Sequence, residues 1–211
     1  MRALMLRFVE FLSEKKQEGH GLHVFDIDDT LFHTTAKVKV VDHEGNRVDN
    51  LSNSSYNTHK LPKGQKYDFS EFRDAAKFDD ESKPNRRMLS KMKAIHNNSK
   101  KKEGSKVIIA TARADFDDKD RFLNAFRKHG VDIDNIHVHR AGNIPGDESV
   151  AEKKAKVISQ QIEKGGHKRA TLYDDNEENL QHFLALSDKH PGVKLHAFHV
   201  QPNGSSKRYR G

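Results

Sequence analysis

The chain of 211 residues contains no cysteine. This absence excludes disulfide scaffolds, zinc sites built on thiolates, and catalysis by a thiol nucleophile. A metal site in this protein must therefore be built from carboxylates and histidines. Hydrophobic residues are also few, at 34%, but they occur in short clusters, and a chain of this length can bury one core. We predict a single domain over residues 1–211.

Long apolar runs are absent as well. The most apolar stretch near the start, Ala3 to Leu12, is interrupted by Arg7 and Glu10 and falls short of the roughly 20 apolar residues that a membrane helix requires. The same interruption argues against a secretory signal. We expect a cytoplasmic protein with no membrane partner.

Positively charged residues outnumber negatively charged ones. The chain has 38 Lys and Arg against 31 Asp and Glu, which gives a net charge of +7. Such an excess attracts polyanions, although many proteins carry it only for solubility. The last residues, Gln201 to Gly211, are polar and contain Lys207, Arg208 and Arg210 around Tyr209. We expect a poorly ordered tail, and the alternative is contact with nucleic-acid phosphates and a base.

Short apolar runs alternate with helical patterns along most of the chain. Alternation of this kind predicts an α/β fold, a doubly wound, Rossmann-like parallel sheet. The predicted strands are 22–27, 106–110, 135–139, 170–173 and 193–200, and the predicted helices are 1–16, 84–97, 119–129, 149–164 and 177–187.

An insertion from about residue 32 to residue 82 breaks the alternation. Lys37 to Asp49 has apolar residues at every second position on both sides of a His43–Asn46 turn, a pattern that is typical of a β-hairpin. Asp68 to Phe78 has apolar residues at helical spacing. We interpret the insertion as a small cap or flap that follows the first strand.

Acidic and hydroxyl residues follow three of the predicted strands. Asp26, Asp28 and Thr30 come after the first strand, Thr111 follows the second, and Asp174 with Asp175 follows the fourth. Ligands of open α/β sheets bind at the carboxyl ends of the strands, so these side chains can reach a substrate together. A solvated acidic turn is the alternative for Asp26 to Thr30 taken alone.

These residues resemble the ordered motifs of the haloacid dehalogenase (HAD) superfamily of phosphohydrolases. The resemblance covers the whole core: hhhDxDxT ending at Thr30, hhhT ending at Thr111, a lysine before the fourth strand, and DDxxxN from Asp174 to Asn179. The motif FDIDDT, Phe25 to Thr30, is similar to the corresponding motif of class B acid phosphatases. The layout is similar, more distantly, to phage polynucleotide 3′-phosphatase domains and phage RNA-repair proteins.

The resemblance implies a Mg²⁺-dependent hydrolase of phosphomonoesters. In this interpretation Asp26 is the nucleophile that forms an aspartyl-phosphate, and Asp28 is the general acid and base. Asp26, Asp174, Asp175 and the backbone carbonyl of Asp28 would supply the oxygen ligands that Mg²⁺ prefers. Asn179 would orient the acidic pair.

The resemblance also implies a shell of groups around the phosphoryl oxygens. Thr111 would act through its hydroxyl and backbone N–H, and Arg113 and Thr30 are the further substrate-binding candidates, with Thr30 also steadying the loop. Lys154 best fits the family spacing for the catalytic lysine. Lys153 and Lys156 are the alternatives.

In the family that the chain resembles, a reduced cap goes with larger substrates, so the resemblance together with the net charge of +7 favours a nucleotide or a nucleic-acid terminal phosphate. The alternatives are a phosphatase of small metabolites or proteins on the same scaffold, and a non-catalytic nucleic-acid-binding module. The oligomeric state stays open.

Overall fold

A computed structural model describes residues 20–56 and 58–211. Its centre is a six-stranded sheet of five parallel strands and one antiparallel edge strand. The strands are, in spatial order, β11 (Ser206–Tyr209), β10 (Lys194–Val200), β9 (Arg169–Asp174), β1 (Gly21–Phe25), β7 (Lys106–Thr111) and β8 (His137–Arg140). The helix predicted for residues 1–16 lies outside the described residues.

Helices cover both faces of the sheet because each carries an apolar stripe. The helices are α1 (Asn53–Tyr56), α2 (Ala75–Glu81), α3 (Arg86–Ser99), α4 (Lys119–Arg127), α5 (Val150–Gly165), α6 (Glu177–Leu184) and α7 (Leu186–Lys189). Met88 and Met92 of α3 pack with Phe25 on one face, together with α4. Ile158 of α5 and Phe183 of α6 fill the other face. Within the described part of the chain, no helix has the length and apolar character that a membrane crossing demands.

The predicted α/β architecture is therefore confirmed, with one correction at the edge of the sheet. The prediction of a poorly ordered tail is wrong, because residues 206–209 pair with β10 as an antiparallel strand. Gly204, at φ +77°, allows the tight reversal that precedes the strand. Tyr209 packs against the core on the side of α5 and α6, so the end of the chain has an apolar anchor.

The cap between β1 and β7 has a small sheet of its own. β3 (Val38–Val41) lies between β4 (Arg47–Leu51) and β5 (Lys66–Asp68), and all are antiparallel. The predicted hairpin corresponds to β3 and β4, whereas the predicted helix is a 3-10 turn, Ser70–Arg73, followed by α2. The chain enters the cap through β2 (Phe32–His33) and leaves it through β6 (Lys83–Pro84), and these two strands pair with each other.

A row of stacked aromatic rings crosses three neighbouring strands. The ring of Tyr173 in β9 lies 4.6 Å from that of Phe25 in β1 and 5.1 Å from that of Phe198 in β10, measured between centroids. The planes deviate from parallel by only 12° and 15°. Because Phe25 and Tyr173 immediately precede Asp26 and Asp174, this row fixes the level at which the two carboxylates leave the sheet.

Candidate active site

The carboxyl ends of three parallel strands bring polar side chains together at one edge of the sheet. Asp26 follows β1, Thr111 ends β7 and Asp174 ends β9. All three are buried, with Thr111 and Asp174 fully inaccessible. The backbone N–H of Asp26 donates to the carbonyl of Tyr173 at 3.0 Å, which continues the pairing of β1 with β9 into the site.

A buried lysine joins the two strand-end carboxylates. Lys154 Nζ donates to Asp26 Oδ1 at 2.7 Å and to Asp174 Oδ2 at 2.8 Å, and its side chain is 1% exposed. It lies in the first turns of α5, a helix that begins with a capping box formed by Ser149 and Glu152. The structure thus brings Lys154 into the cluster.

The two alternative lysines lie outside the cluster. Lys153 Nζ donates to the carbonyl of Gly146 at 2.7 Å, and Lys156 forms an exposed ion pair with Glu148. Both belong to the solvent-exposed face of α5. Among the three candidates, Lys154 alone is positioned to act on the strand-end carboxylates.

Negative charge exceeds positive charge inside the cluster. Carboxylate oxygens of Asp26, Asp174 and Asp175 lie within 4.8 Å of one another, and Lys154 contributes one positive charge. Burial raises the pKa of Asp26 to about 8, and the neighbouring Asp174 and Asp28 act in the same direction against Lys154. Burial also raises the pKa of Asp175 well above its usual range.

This imbalance fits a divalent cation. Three converging carboxylates offer only oxygen ligands, the donor set of a hard cation such as Mg²⁺. One lysine leaves the buried oxygens short of positive charge, and a bound cation would supply it. Asp26, Asp174 and Asp175 could therefore hold a metal ion.

The acidic pair after β9 is held by its own loop and by α6. Asn179 Nδ2 and the backbone N–H of Asn176 donate to Asp174 Oδ1 at 2.9 and 3.0 Å. Thr30 donates to Asp175 Oδ1 at 3.3 Å and is fully buried. Thr30 therefore links the β1 loop to the acidic pair.

Arg113 differs most from its expected role. Its guanidinium forms a two-pronged pair with Asp28, with Nη2 to Oδ1 at 2.6 Å and Nε to Oδ2 at 2.9 Å. Nη1 donates to the carbonyl of Phe72 at 2.7 Å, and Nη2 also donates to Thr34 Oγ1 at 3.1 Å. All three guanidinium nitrogens thus have protein partners, so this arrangement does not correspond to the expected phosphoryl contact.

The pair between Arg113 and Asp28 is largely shielded from water. The Arg113 side chain is 1% exposed and that of Asp28 is 13% exposed. The guanidinium carbon lies 4.7 Å from the ring centre of Phe78 and 5.0 Å from that of Phe72. Because Phe72 and Phe78 belong to the cap, Arg113 connects the cap to Asp28. The Asp28 carboxylate is consequently separate from the cluster of Asp26, Asp174 and Asp175.

Thr111 ends β7 close to this pair. Its hydroxyl oxygen accepts a hydrogen bond from the backbone N–H of Arg113 at 3.2 Å. The hydroxyl therefore keeps its own proton free to donate. Thr111 and Arg113 are therefore positioned together by one short turn.

Two asparagines that the sequence analysis did not identify support the loop after β1. Asn85 Nδ2 donates to the carbonyl of Thr30 at 2.9 Å, while its Oδ1 caps α3 at Met88 N. Asn53 Nδ2 donates to Asp29 Oδ2 at 3.0 Å, where Asp29 has φ +55°. A positive φ is uncommon outside glycine and is tolerated best by Asp and Asn. The sequence contains a signal for Asn85, because asparagine is a preferred N-cap residue at the start of a helical pattern.

No protein-family model matches the chain, and neither does any curated protein. The site geometry is therefore the basis for the functional proposal that follows.

Proposed function

We propose that the protein is a Mg²⁺-dependent phosphomonoester hydrolase of the HAD type, with Asp26 as its nucleophile. The observation that carries the proposal is the position of Lys154, which bridges Asp26 and Asp174 at 2.7 and 2.8 Å in a buried carboxylate cluster. A carboxylate nucleophile facing a phosphate dianion needs nearby positive charge. The cluster provides one fixed cation and ligands for a second.

In the first step an Asp26 carboxylate oxygen attacks phosphorus, and the bond between phosphorus and the ester oxygen breaks. The departing oxygen takes a proton from Asp28 and leaves as an alcohol. The product of this step is an aspartyl-phosphate on Asp26. Thr111 would hold a phosphoryl oxygen during the transfer.

In the second step a water molecule attacks phosphorus, and Asp28 takes one of its protons. The bond between Asp26 and phosphorus breaks, which releases inorganic phosphate and restores the Asp26 carboxylate. The proton that Asp28 gave to the alcohol is thus replaced by one from water. Arg113 holds the Asp28 carboxylate through two hydrogen bonds, which fixes its orientation for this step.

The residues that would hold Mg²⁺ are Asp26, Asp174 and Asp175. When bound, the cation would reduce the repulsion between Asp26 and the phosphoryl oxygens. Lys154 supplies a fixed positive charge to Asp26 and Asp174, and Asn179 with Thr30 keeps the acidic pair oriented. We propose a nucleotide or a nucleic-acid terminal phosphate as substrate, in keeping with the net charge of +7.

The test is hydrolysis of p-nitrophenyl phosphate by the wild type and by Asp26→Asn, each with Mg²⁺ or with EDTA. We expect turnover only in the wild type with Mg²⁺. Asp188→Asn is the matched control, because it removes an exposed carboxylate in α7. It should keep full activity.

Retention of turnover by Asp26→Asn would reject Asp26 as the nucleophile. Absence of turnover in the wild type, also on phosphorylated nucleotides and oligonucleotides, would reject the phosphatase. Oligonucleotide binding without turnover would then favour the alternative, a non-catalytic nucleic-acid-binding module.

A further inference from the structure

The net positive charge of the chain resides in one short segment. Between Lys83 and Lys102, eight residues are Lys or Arg and none is Asp or Glu. The rest of the chain has 30 basic residues (38 less 8) against 31 acidic ones, a net charge of −1. This segment includes all of α3. A general solubilising surface would spread its charge, whereas here four of the eight basic residues lie in α3 and the other four lie just before or after it.

The first half of α3 lies against the hairpin of β10 and β11. Lys91 Nζ donates to Ser206 Oγ at 2.6 Å. A side chain added at Gly204, in the turn of the hairpin, would meet Arg87 Cβ at 3.1 Å. On the same face, the guanidinium of Arg208 lies 5.6 Å from the ring centre of Phe198. The helix and the edge strand thus form one continuous surface.

We call this surface the basic strip and define it as Arg87, Lys91, Arg208 and Arg210. Three of the four are exposed and Lys91 is half-buried. Among the described residues, none of the four has a carboxylate partner within ion-pair distance. Burial and the neighbouring Arg87 lower the pKa of Lys91, as expected for cations placed together without an anion.

The basic strip begins beside the candidate active site. Asn85, two residues before Arg87, donates its side-chain amide to the carbonyl of Thr30 and its backbone N–H to the carbonyl of Leu31, both at 2.9 Å. The same Asn85 side chain abuts Gly204 so closely that no Cβ fits there. The strip therefore starts at the loop that carries Asp28 and runs away from it along β11.

The far end of the strip has a shallow depression of about 400 Å³. It is lined by Leu184, Arg208, Tyr209 and Arg210. Tyr209 packs toward α5 and α6 and its hydroxyl accepts a hydrogen bond from Gln181 Nε2 at 3.0 Å, so the charges of Arg208 and Arg210, rather than the ring, are the groups available to phosphates. From Ser206 to Arg210 the strand covers about 13 Å, a length that can follow the backbone of a nucleic-acid strand.

We infer that the basic strip binds the sugar-phosphate backbone of a nucleic-acid strand whose terminal phosphate reaches Asp26. The inference rests on the proposed function, which it deepens by naming a polynucleotide end as the substrate class. Separate cations spaced along an edge suit a chain of phosphates, whereas a single free nucleotide would engage only one end of the strip.

The test compares two variants of equal charge. The strip variant carries Arg87→Gln, Lys91→Gln, Arg208→Gln and Arg210→Gln. The control variant carries Lys101→Gln, Lys102→Gln, Lys164→Gln and Lys168→Gln, four exposed lysines near the opposite, amino edge of the sheet. The probe is a fluorescein-labelled single-stranded DNA of about a dozen nucleotides with a phosphate at its unlabelled end, in separate 3′ and 5′ versions.

Two readouts are made on each protein. Binding is measured by fluorescence anisotropy in EDTA, and kcat/KM is measured with Mg²⁺ on the probe and on p-nitrophenyl phosphate. We expect the strip variant to lose between about tenfold and a hundredfold in affinity, with a slope of log K against log salt that is smaller by about 3. It should lose kcat/KM on the probe and keep it on p-nitrophenyl phosphate. The control variant should resemble the wild type.

Equal losses in the two variants would overturn the inference, because net charge rather than the strip would then determine binding. Wild-type hydrolysis of p-nitrophenyl phosphate with no effect of the strip variant on the probe would overturn it too. Binding to anionic lipid vesicles in preference to the probe would assign the strip to a membrane surface instead. Failure of the proposed function is distinct, since it appears as no hydrolysis of p-nitrophenyl phosphate by the wild type.

Discussion

At the scale of single residues, the pair between Asp28 and Arg113 determines how the site can work. Both Asp28 oxygens accept from the guanidinium, and the cap supplies the carbonyl of Phe72 and the hydroxyl of Thr34 on the far side. Asp28 is therefore held in one orientation rather than free to rotate. We interpret Arg113 as a positioning residue that acts through Asp28.

Arg113→Lys should lower kcat/KM much more for an alkyl phosphate than for p-nitrophenyl phosphate. Lysine keeps the charge but cannot form the two-pronged contact, so Asp28 loses its orientation. An alkoxide needs protonation as it leaves and nitrophenolate does not. Since positioned proton transfer contributes about 10²-fold to 10⁴-fold, we expect a loss of about 10²-fold on the alkyl ester. Steady-state kinetics on the two esters measure it.

The control for this prediction is Arg121→Lys, because Arg121 is exposed and pairs with Asp80 on the surface. It should leave both esters unaffected. An equal fold loss on the two esters with Arg113→Lys would contradict the positioning role. That result would return Arg113 to the role of a phosphoryl ligand.

The strand-end residues could be predicted from the sequence, but the partners of Arg113 could not. Asp26, Thr111 and Asp174 directly follow apolar runs, so local pattern alone brings them to one edge. Thr34 and Phe72 are separated from Arg113 by 79 and 41 residues. No local pattern indicates a contact between residues so far apart in the sequence, because such a contact depends on how the cap folds onto the core.

At the scale of elements, β1 carries a half-buried ionisable group, His23. His23 lies on this strand, and its Nδ1 has no hydrogen-bond partner among the described residues. Burial lowers the pKa of His23 to about 4, and the positive Arg169 acts in the same direction. The folded protein therefore keeps this imidazole neutral through the pH range in which an unfolded chain protonates it.

The free energy of unfolding should fall as the pH is lowered from about 6.5 toward 4. In that window the unfolded chain takes up a proton at position 23 and the folded protein does not, so the stabilisation is complete only above about 6.5. His23→Leu should reduce the loss between pH 7 and pH 5 by about 1–2 kcal/mol. Urea titrations at the two pH values measure the difference.

The exposed His43 in the cap provides the matched control, and His43→Leu should leave the pH dependence unchanged. His139, whose pKa burial also lowers to about 4, should preserve part of the acid sensitivity in the His23 variant. An unaltered pH dependence in His23→Leu would contradict the prediction.

The hairpin of the cap was predictable, and its third strand was not. β3 and β4 alternate apolar and polar residues around a turn, whereas β5 has three residues and only Tyr67 packs toward the small cap core. Its position follows from pairing with β3, where Tyr67 faces Val40. The tail strand β11 was not predictable for the same reason as β5, because only one of its side chains, Tyr209, packs against the core.

At the scale of the whole molecule, metal binding and folding should be coupled. The two strands β1 and β9 must pair before Asp26, Asp174 and Asp175 converge, so an unfolded chain has no such site. At a hundredfold excess over its Kd, Mg²⁺ should stabilise the protein by about 2.7 kcal/mol. For a chain of this size that corresponds to a rise in Tm of about 5–10 °C.

Thermal unfolding with Mg²⁺ and with EDTA tests this coupling. The rise in Tm should disappear in Asp174→Asn and persist in Asp188→Asn. The same rise in all three proteins would contradict binding at the cluster and would indicate a general effect of salt.

The alternation of strands and helices predicted the parallel core, since each crossover returns the chain to the same sheet. The antiparallel edge depends instead on the reversal at Gly204 and on the charge-rich residues that follow it. Those residues have the composition of a solvated tail, and for that reason no strand was predicted there. The concentration of charge on α3 was visible in the sequence, but its meeting with β11 is a property of the assembled sheet.

The stacked row of Phe25, Tyr173 and Phe198 gives the protein an optical signature. There is no tryptophan, and there are four tyrosines, of which Tyr56 and Tyr67 belong to the cap and Tyr173 and Tyr209 to the central sheet. A buried phenol between two nearly parallel rings sits in a chiral, rigid environment, so its near-ultraviolet circular dichroism reports the packing of the sheet. Replacing the two cap tyrosines with phenylalanine would leave a spectrum from the sheet alone, and cap and sheet could then be followed separately during unfolding without any label.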